Sequence, residues 1–373
     1  MPTLREVTDY LDELYPPALA ESWDSVGLIA GDPEQTVQRI HLALDPTEET
    51  VNEAIARNAD LLLTHHPLLL KGIHAVTSQT SKGRTLRTAI AEDLAIFNAH
   101  TNADRARHGV NDALADALGL TDTRPLVPAD ELRLEKVVVF VPSESEQALI
   151  DALAEAGAGE VGDYSRCAFI STGTGTFIPG ESANPTVGTR GAAEQVAESR
   201  IEMVYAAPLR RGVLAALRAS HPYEEPAYDV LALQPLPTDQ GLGRIGTLST
   251  PVSLEEFGVR IANALPAAPV GIRIAGDLER EVRTVAVLGG AGDGHLEDAT
   301  RAGVDAYVTA DLRHHPAGEH LAEGGPALID AGHWASESVW LPVLADLLRE
   351  QYADLTVTVS ELVTDPWAAV LSR

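Results

Sequence analysis

Two stretches far apart in the chain carry one pattern. Residues 39–67 read RIHLALDPTEETVNEAIARNADLLLTHHP, and residues 283–312 read RTVAVLGGAGDGHLEDATRAGVDAYVTADL. Each is an apolar strand, a loop, a helix-period stretch and a second apolar strand ending in a threonine, Thr64 or Thr309. Each places an aspartate, Asp60 or Asp305, four residues before that threonine. The offset holds at about 245 positions, which reads as a divergent internal repeat. Two unrelated pieces of one sheet remain the alternative. A strand–helix–strand unit of this length returns the chain in the same direction, so its strands pair in parallel. The fold class that follows is α/β, a two-lobed domain with helices layered on sheet.

The stretch between the repeats has a different grammar. Lys136–Val141 (KVVVFV) reads as a strand, and Ser143 with Glu146 as a capping box for a helix that stops near Gly157. Arg166–Phe177 reads as a long Thr/Gly-rich strand containing Cys167 as a small buried hydrophobe. Gln195–Tyr205 follows as a strand, Leu209–Ala219 as a helix and Ala227–Leu233 as a last strand. That order, βαββαβ, is the ferredoxin-like arrangement. Pro235 and Pro237 punctuate the exit. The expected division is an α/β lobe over 1–129, an inserted domain over 130–236 and a second α/β lobe over 237–373, the two lobes sharing a metal site.

Charge narrows the function classes. The 373 residues carry 27 Lys and Arg against 55 Asp and Glu, a net charge of −28. A duplex binder needs a basic stripe, so no nucleic-acid partner is expected. One cysteine excludes both an internal disulfide and a cysteine-cage metal site. No apolar run reaches membrane-spanning length, and the acidic N-terminal stretch has no signal-peptide core. A cytoplasmic protein without a membrane partner is the expectation.

Among twelve histidines, His65 and His66 stand together after the strand Leu61–Leu63. Strand ends are where α/β folds deliver site residues. Neighbours on a regular strand point to opposite faces, so both reach one site only if the chain leaves extended geometry, which Pro67 favours. Taken alone, two strand-end histidines bonded to backbone explain the pair equally well. His100-Thr101-Asn102-Ala103-Asp104 follows another apolar strand and places a carboxylate in a strand-end loop, or a simple helix cap. His333 and Glu337 are four residues apart after the strand Ala327–Ile329, on one face of a helix or as a surface pair. Together His65, His66, Asp104, His333 and Glu337 offer three imidazoles and two carboxylates. That set suits Zn, Fe, Mn, Co or Ni. It exceeds the needs of one four-coordinate ion and fits two divalent ions.

Other motifs carry less. Gly241–Gly246 (GLGRIG) lacks the following helix that a dinucleotide site requires, and reads as a tightly packed turn. Gly289–Gly294 lies between a strand and a helix and could cradle phosphate, with Asp293 against it. Asp45-Pro46-Thr47-Glu48 reads as a helix start with Asp45 as N-cap, a supporting place beside the metal being second choice. Trp23 and Asp24 read as a packing anchor and a turn. His100, His314 and His315 are the proton-carrying candidates, the last two equally readable as solvated loop residues.

The motifs ESWDSVG (21–27), THHPL (64–68), HTNAD with GVND (100–104, 109–112), GLGRIG (241–246) and GHWASE (332–337) together resemble the Nif-three-like family, known as GTP cyclohydrolase 1 type 2 homologs. Tyr164–Phe177, Ala183–Gly188 and HPYEE (221–225) resemble the PII/CutA-like insert of its longer members. The resemblance implies the same five dinuclear-metal ligands, His65, His66, Asp104, His333 and Glu337. It also implies a toroidal homohexamer with metal sites facing an inner cavity. The chain departs from the family pattern at Ala310, where glycine is usual, and at Ala103, where leucine is. The expected function is a metal-dependent hydrolase acting on a small nucleotide-like or heterocyclic substrate. A metal-binding regulatory, sensor or assembly protein is the alternative.

Overall fold

The apolar runs of the two strand–helix–strand stretches become central strands of two sheets. Leu61–Thr64 and Ala306–Ala310 are buried at every position, as strands covered on both faces are. The computed structural model describes residues 1–129, 134–234 and 239–371. They form two compact units, Met1–Ala129 with Thr238–Arg373, and Asp130–Pro237. Pro235 and Pro237 lie outside the described residues.

In the larger unit one sheet runs Gly27–Ala30, Ala95–Asn98, Leu61–Thr64, Arg39–Ala43, Thr356–Val359. Its pairs are parallel except the first. The other runs Arg273–Ala275, Ala327–Asp330, Ala306–Ala310, Glu281–Ala291, Gly241–Ser253, Leu120–Pro128. Its three inner strands Ala327–Asp330, Ala306–Ala310 and Glu281–Ala291 pair in parallel, and the remaining pairs are antiparallel. The two aspartates of the shared pattern do the same work. Asp60 Oδ2 accepts from the backbone N–H of Gln38 and Arg39 at 2.7 and 2.8 Å. Asp305 Oδ2 accepts from those of Arg283 and Thr284 at 3.0 and 2.8 Å.

Helix Trp340–Gln351 turns Trp340, Leu341, Leu344, Ala345 and Leu348 into the core beside the first sheet. Trp340 is fully buried, and its indole N–H donates to the Tyr15 hydroxyl at 3.0 Å. The hydroxyl donates in turn to the His108 carbonyl at 3.2 Å, so neither buried polar group is left unpaired.

The smaller unit has one antiparallel sheet in the order Phe169–Phe177, Glu194–Ala206, Leu134–Pro142, Tyr228–Ala232. Helices Glu146–Glu155 and Arg210–Ser220 supply Leu149, Leu153, Val213 and Leu217 to a core shared with Val137, Val139 and Ile201.

Several local expectations change. The second strand here starts at Phe169, because Arg166 takes a left-handed φ of 58° and breaks the extension. Cys167 therefore sits in a loop, half-buried. Ser143 opens a short 3-10 turn and makes no capping box; Glu146 begins the helix without a side-chain cap. Gly241–Gly246 opens the long strand Gly241–Ser253 and is no turn. Its close packing is real: a Cβ on Gly246 would stand 2.8 Å from that of Leu120. Arg244 is buried there against Asp112 and three backbone carbonyls.

Candidate metal centre

His65 and His66 leave the strand Leu61–Thr64 at its carboxyl end. Thr64 Oγ1 donates to the His66 carbonyl at 2.9 Å, and the His66 N–H donates to the Leu44 carbonyl at 3.0 Å. These bonds bend the chain, so both rings reach one pocket with centroids 5.0 Å apart. Asp104 lies on the short helix Thr101–Arg105. His333 and Glu337 share helix His333–Ser338, which starts after Gly332 at a φ of 80°.

The five side chains converge. Glu337 Oε1 is 3.7 Å from His65 Nε2 and 3.2 Å from His333 Nε2, and Oε2 is 3.1 Å from His66 Nε2. His65 Nε2 is also 3.7 Å from Asp104 Oδ1, and the Nε2 atoms of His66 and His333 are 3.4 Å apart. Two sets hold ligand atoms all within 4.8 Å of one another: His65, His66 and His100, and His66, His333 and Glu337.

Each imidazole is held by its far nitrogen. His65 Nδ1 donates to the Ala99 carbonyl at 2.8 Å. His66 Nδ1 bonds Asp45 at 2.7 Å, and His333 Nδ1 bonds Asp311 at 2.8 Å. A carbonyl or carboxylate only accepts, so in the neutral rings all three Nε2 atoms present lone pairs inward. Carboxylate or carbonyl partners on the outer nitrogen are the usual orienting device of metal-ligating histidines. His100 is held the same way, Nδ1 to Asp24 at 2.9 Å, with Trp23 edge-on at 6.1 Å.

Charge is concentrated here. Burial works against the Glu337 carboxylate, yet the facing His66 and His333 outweigh it and hold the group well below its ordinary range. Burial and the neighbouring Glu337 push the Asp104 carboxyl up to about 7. His333 is raised to about 9 against its own burial, chiefly by Glu337. Against burial, hydrogen bonds from His100 and Thr101 keep Asp24 low.

Within the five converging side chains, three buried atoms lack a hydrogen-bond partner: His65 Nε2, Asp104 Oδ1 and Glu337 Oε2. The 3.1 Å approach of Glu337 Oε2 to His66 is a charge contact without hydrogen-bond alignment. Buried polar atoms left unpaired are costly, and here all three are good donors to a divalent ion. Gly290 keeps the space open, since a Cβ there would fall 2.1 Å from Glu337 Oε1. The donor set therefore fits a metal.

The cluster opens on two cavities. One, about 580 Å³, is lined by His100, Trp23, Arg105 and Lys82 as well as His66, His333 and Glu337. The other, about 670 Å³, meets His66 and His333 from the side of Trp334, Trp367 and Arg273. His314 and His315 line neither: they are exposed at the start of helix His314–Ala322, with His314 on a separate cavity.

Three placements at the cluster, those of Asp24, Asp311 and Gly290, escaped sequence reasoning, and Asp45 takes the place that was its second choice. Asp45 orients His66, and the true N-cap of helix Glu48–Ala56 is Thr47. Asp24 and Asp311 orient His100 and His333, and Gly290 clears room for Glu337. Partners 21, 22 and 76 residues apart leave no local signal. The glycines of 289–294 pack on protein groups: a Cβ on Gly292 would fall 2.0 Å from Thr309 Oγ1, and Asp293 pairs with Arg313.

The family model described as Duf34/NIF3 (NGG1p interacting factor 3) matches residues 2–366. The chain belongs to the Duf34/NIF3 family. Among its Duf34/NIF3 relatives, the GTP cyclohydrolase 1 type 2 homolog of Mycobacterium tuberculosis is 49% identical over 366 residues, covering 98% of this chain and 96% of that protein. The Bacillus subtilis protein of the same name is 36% identical, covering 97% of each. The crystal structure of a Bacillus cereus protein related to NIF3 matches with a TM-score of 0.70 and 39% identity, covering 99% of both chains. Among the described residues no helix is long and apolar enough to cross a membrane.

Proposed function

We propose that the cluster is a dinuclear metal centre and that the protein is a metal-dependent hydrolase of a small nucleotide-like or other heterocyclic substrate. The convergence of His65 Nε2, Asp104 Oδ1 and Glu337 Oε2, buried without partners, carries the reading. His65, His66, Asp104, His333 and Glu337 would hold the two divalent ions, Glu337 facing all three imidazoles. Two such ions supply Lewis acidity and lower the pKa of water. Asp45, Asp311 and the Ala99 carbonyl fix the imidazoles, so no reorganisation accompanies the reaction. His100, set by Asp24, stands 5.6 Å from the His66 ring and carries the proton. Trp23, Trp334 and Trp367 give a planar ring apolar surface beside the cluster.

Metal analysis of freshly purified protein should find two divalent ions per chain and fewer than one in Glu337→Ala. The loaded protein should hydrolyse a nucleotide, ester or amidine that the variant does not. A loaded protein as silent as its variant overturns the hydrolase reading and leaves the metal reading standing.

The fold readings extend the same proposal. The order of the four-stranded sheet and its two helices supports a ferredoxin-like insert over 130–236 between lobes 1–129 and 237–373. The matched anchoring by Asp60 and Asp305 supports an internal duplication. A cytoplasmic homo-oligomer, hexameric by family resemblance, completes the picture.

A further inference from the structure

The smaller unit has a cavity of about 330 Å³ that shares no lining residue with the two cavities at the metal cluster. Phe140, Phe177, Pro179, Val187 and Tyr223 give it apolar and aromatic walls. Glu198, Glu224 and Glu225 line it as well, and no Lys or Arg does. We infer that this cavity binds a small organic ammonium ion with an apolar body.

The sequence HPYEE builds the site. The Tyr223 N–H donates to His221 Nδ1 at 3.0 Å, so Nε2 carries the ring hydrogen and donates to the Phe140 carbonyl at 2.9 Å. Both nitrogens of this buried ring are thereby used, and they lock the turn that carries Tyr223, Glu224 and Glu225. The Tyr223 hydroxyl donates to Glu198 Oε1 at 3.1 Å, and its ring meets Phe177 edge-on at 5.8 Å. Gly175 makes way for the other carboxylate oxygen: a Cβ there would stand 2.0 Å from Glu198 Oε2.

Glu198 is half-buried, and among the described residues it has no cationic partner. The nearby Arg200 pairs with Glu202 at 3.0 Å. A carboxylate drawn partly out of water with only a neutral donor is an incomplete arrangement. A cation completes it, and the faces of Phe177 and Tyr223 attract the same charge. The apolar walls then take the rest of the ligand. A volume at the lower end for ligand pockets selects a small metabolite over a peptide.

Isothermal titration of the full chain with 2-phenylethylamine, 2-phenylethanol and 3-phenylpropionate tests this. The amine should bind one per chain, the alcohol at least tenfold more weakly, and the acid not at all. Glu198→Gln should weaken the amine at least tenfold, and chelation of bound metal should leave its affinity unchanged. Absence of saturable amine binding, equal affinity for the alcohol, or undiminished binding by Glu198→Gln overturns the inference. The charge series on the unmodified chain decides even where the variant does not fold.

Discussion

In the strand–helix–strand unit of residues 39–64 the chain continues after Thr64 into His65 and His66; in that of residues 283–309 it continues after Thr309 into Ala310 and Asp311. Asp45 at the first edge answers to Gly290 at the second. The two frames are anchored alike by Asp60 and Asp305, so the difference is confined to the rim. One rim projects two imidazoles and a carboxylate that holds one of them. The other removes bulk at Gly290 and holds an imidazole borne elsewhere, that of His333. Two frames anchored alike thus differ at their edge positions, one presenting imidazoles and the other making room.

The sharpest break of that division is Gly290→Ala. Its φ of 69° already disfavours a side chain, and the new methyl would meet Glu337 Oε1. Metal content and calorimetric affinity should collapse, by at least a hundredfold. A variant that loads normally shows that the second rim does not make room for Glu337. Next come the steering carboxylates. Asp45→Ala should weaken metal binding roughly 10–100-fold. Asp311→Ala should do less, because its side chain is 54% exposed against 27% for Asp45. The reverse order, read by the same titrations, would contradict unequal steering.

The smallest effect concerns His41, fully buried where the strand–helix–strand stretch of residues 283–309 has Ala286. Its Nδ1 meets Thr358 at 2.8 Å and its Nε2 stands 3.2 Å from Glu53. Burial lowers its pKa although Glu53 opposes. The unfolded chain therefore binds this proton more readily, and stability rises with pH. The contribution of neutral His41 is complete above about pH 6.5 and is lost on acidification through the lower folded value. Urea titrations at pH 7.5 and 5.5 should show a larger fall for the parent chain than for His41→Gln. Equal falls would remove His41 as the cause.

Much of this was legible in the residues themselves. The repeated threonine and aspartate mark both frames because a strand–helix–strand unit is local. The His65–His66 pair and the spacing of His333 and Glu337 mark donors for the same reason. What was missed or ranked second was long-range. Asp45 has the form of a helix start, yet Thr47 caps the helix because Thr50 returns the bond, which frees Asp45 for His66. Asp24 resembles a turn residue and holds His100 from 76 positions away. Cys167 looked like part of a strand because the backbone reversal at Arg166 has no marker in side-chain polarity.

The strand Thr356–Val359 pairs with Arg39–Ala43 and closes the sheet behind His65 and His66. During translation the strand Arg39–Ala43 waits for this neighbour until residues 44–355 have been made. A product stalled or clipped before it presents the largely buried strand Arg39–Ala43 as the sheet edge, in place of the more exposed Thr356–Val359. An apolar edge of that kind invites pairing with other chains, so the strand that backs His65 and His66 also shields the sheet from association.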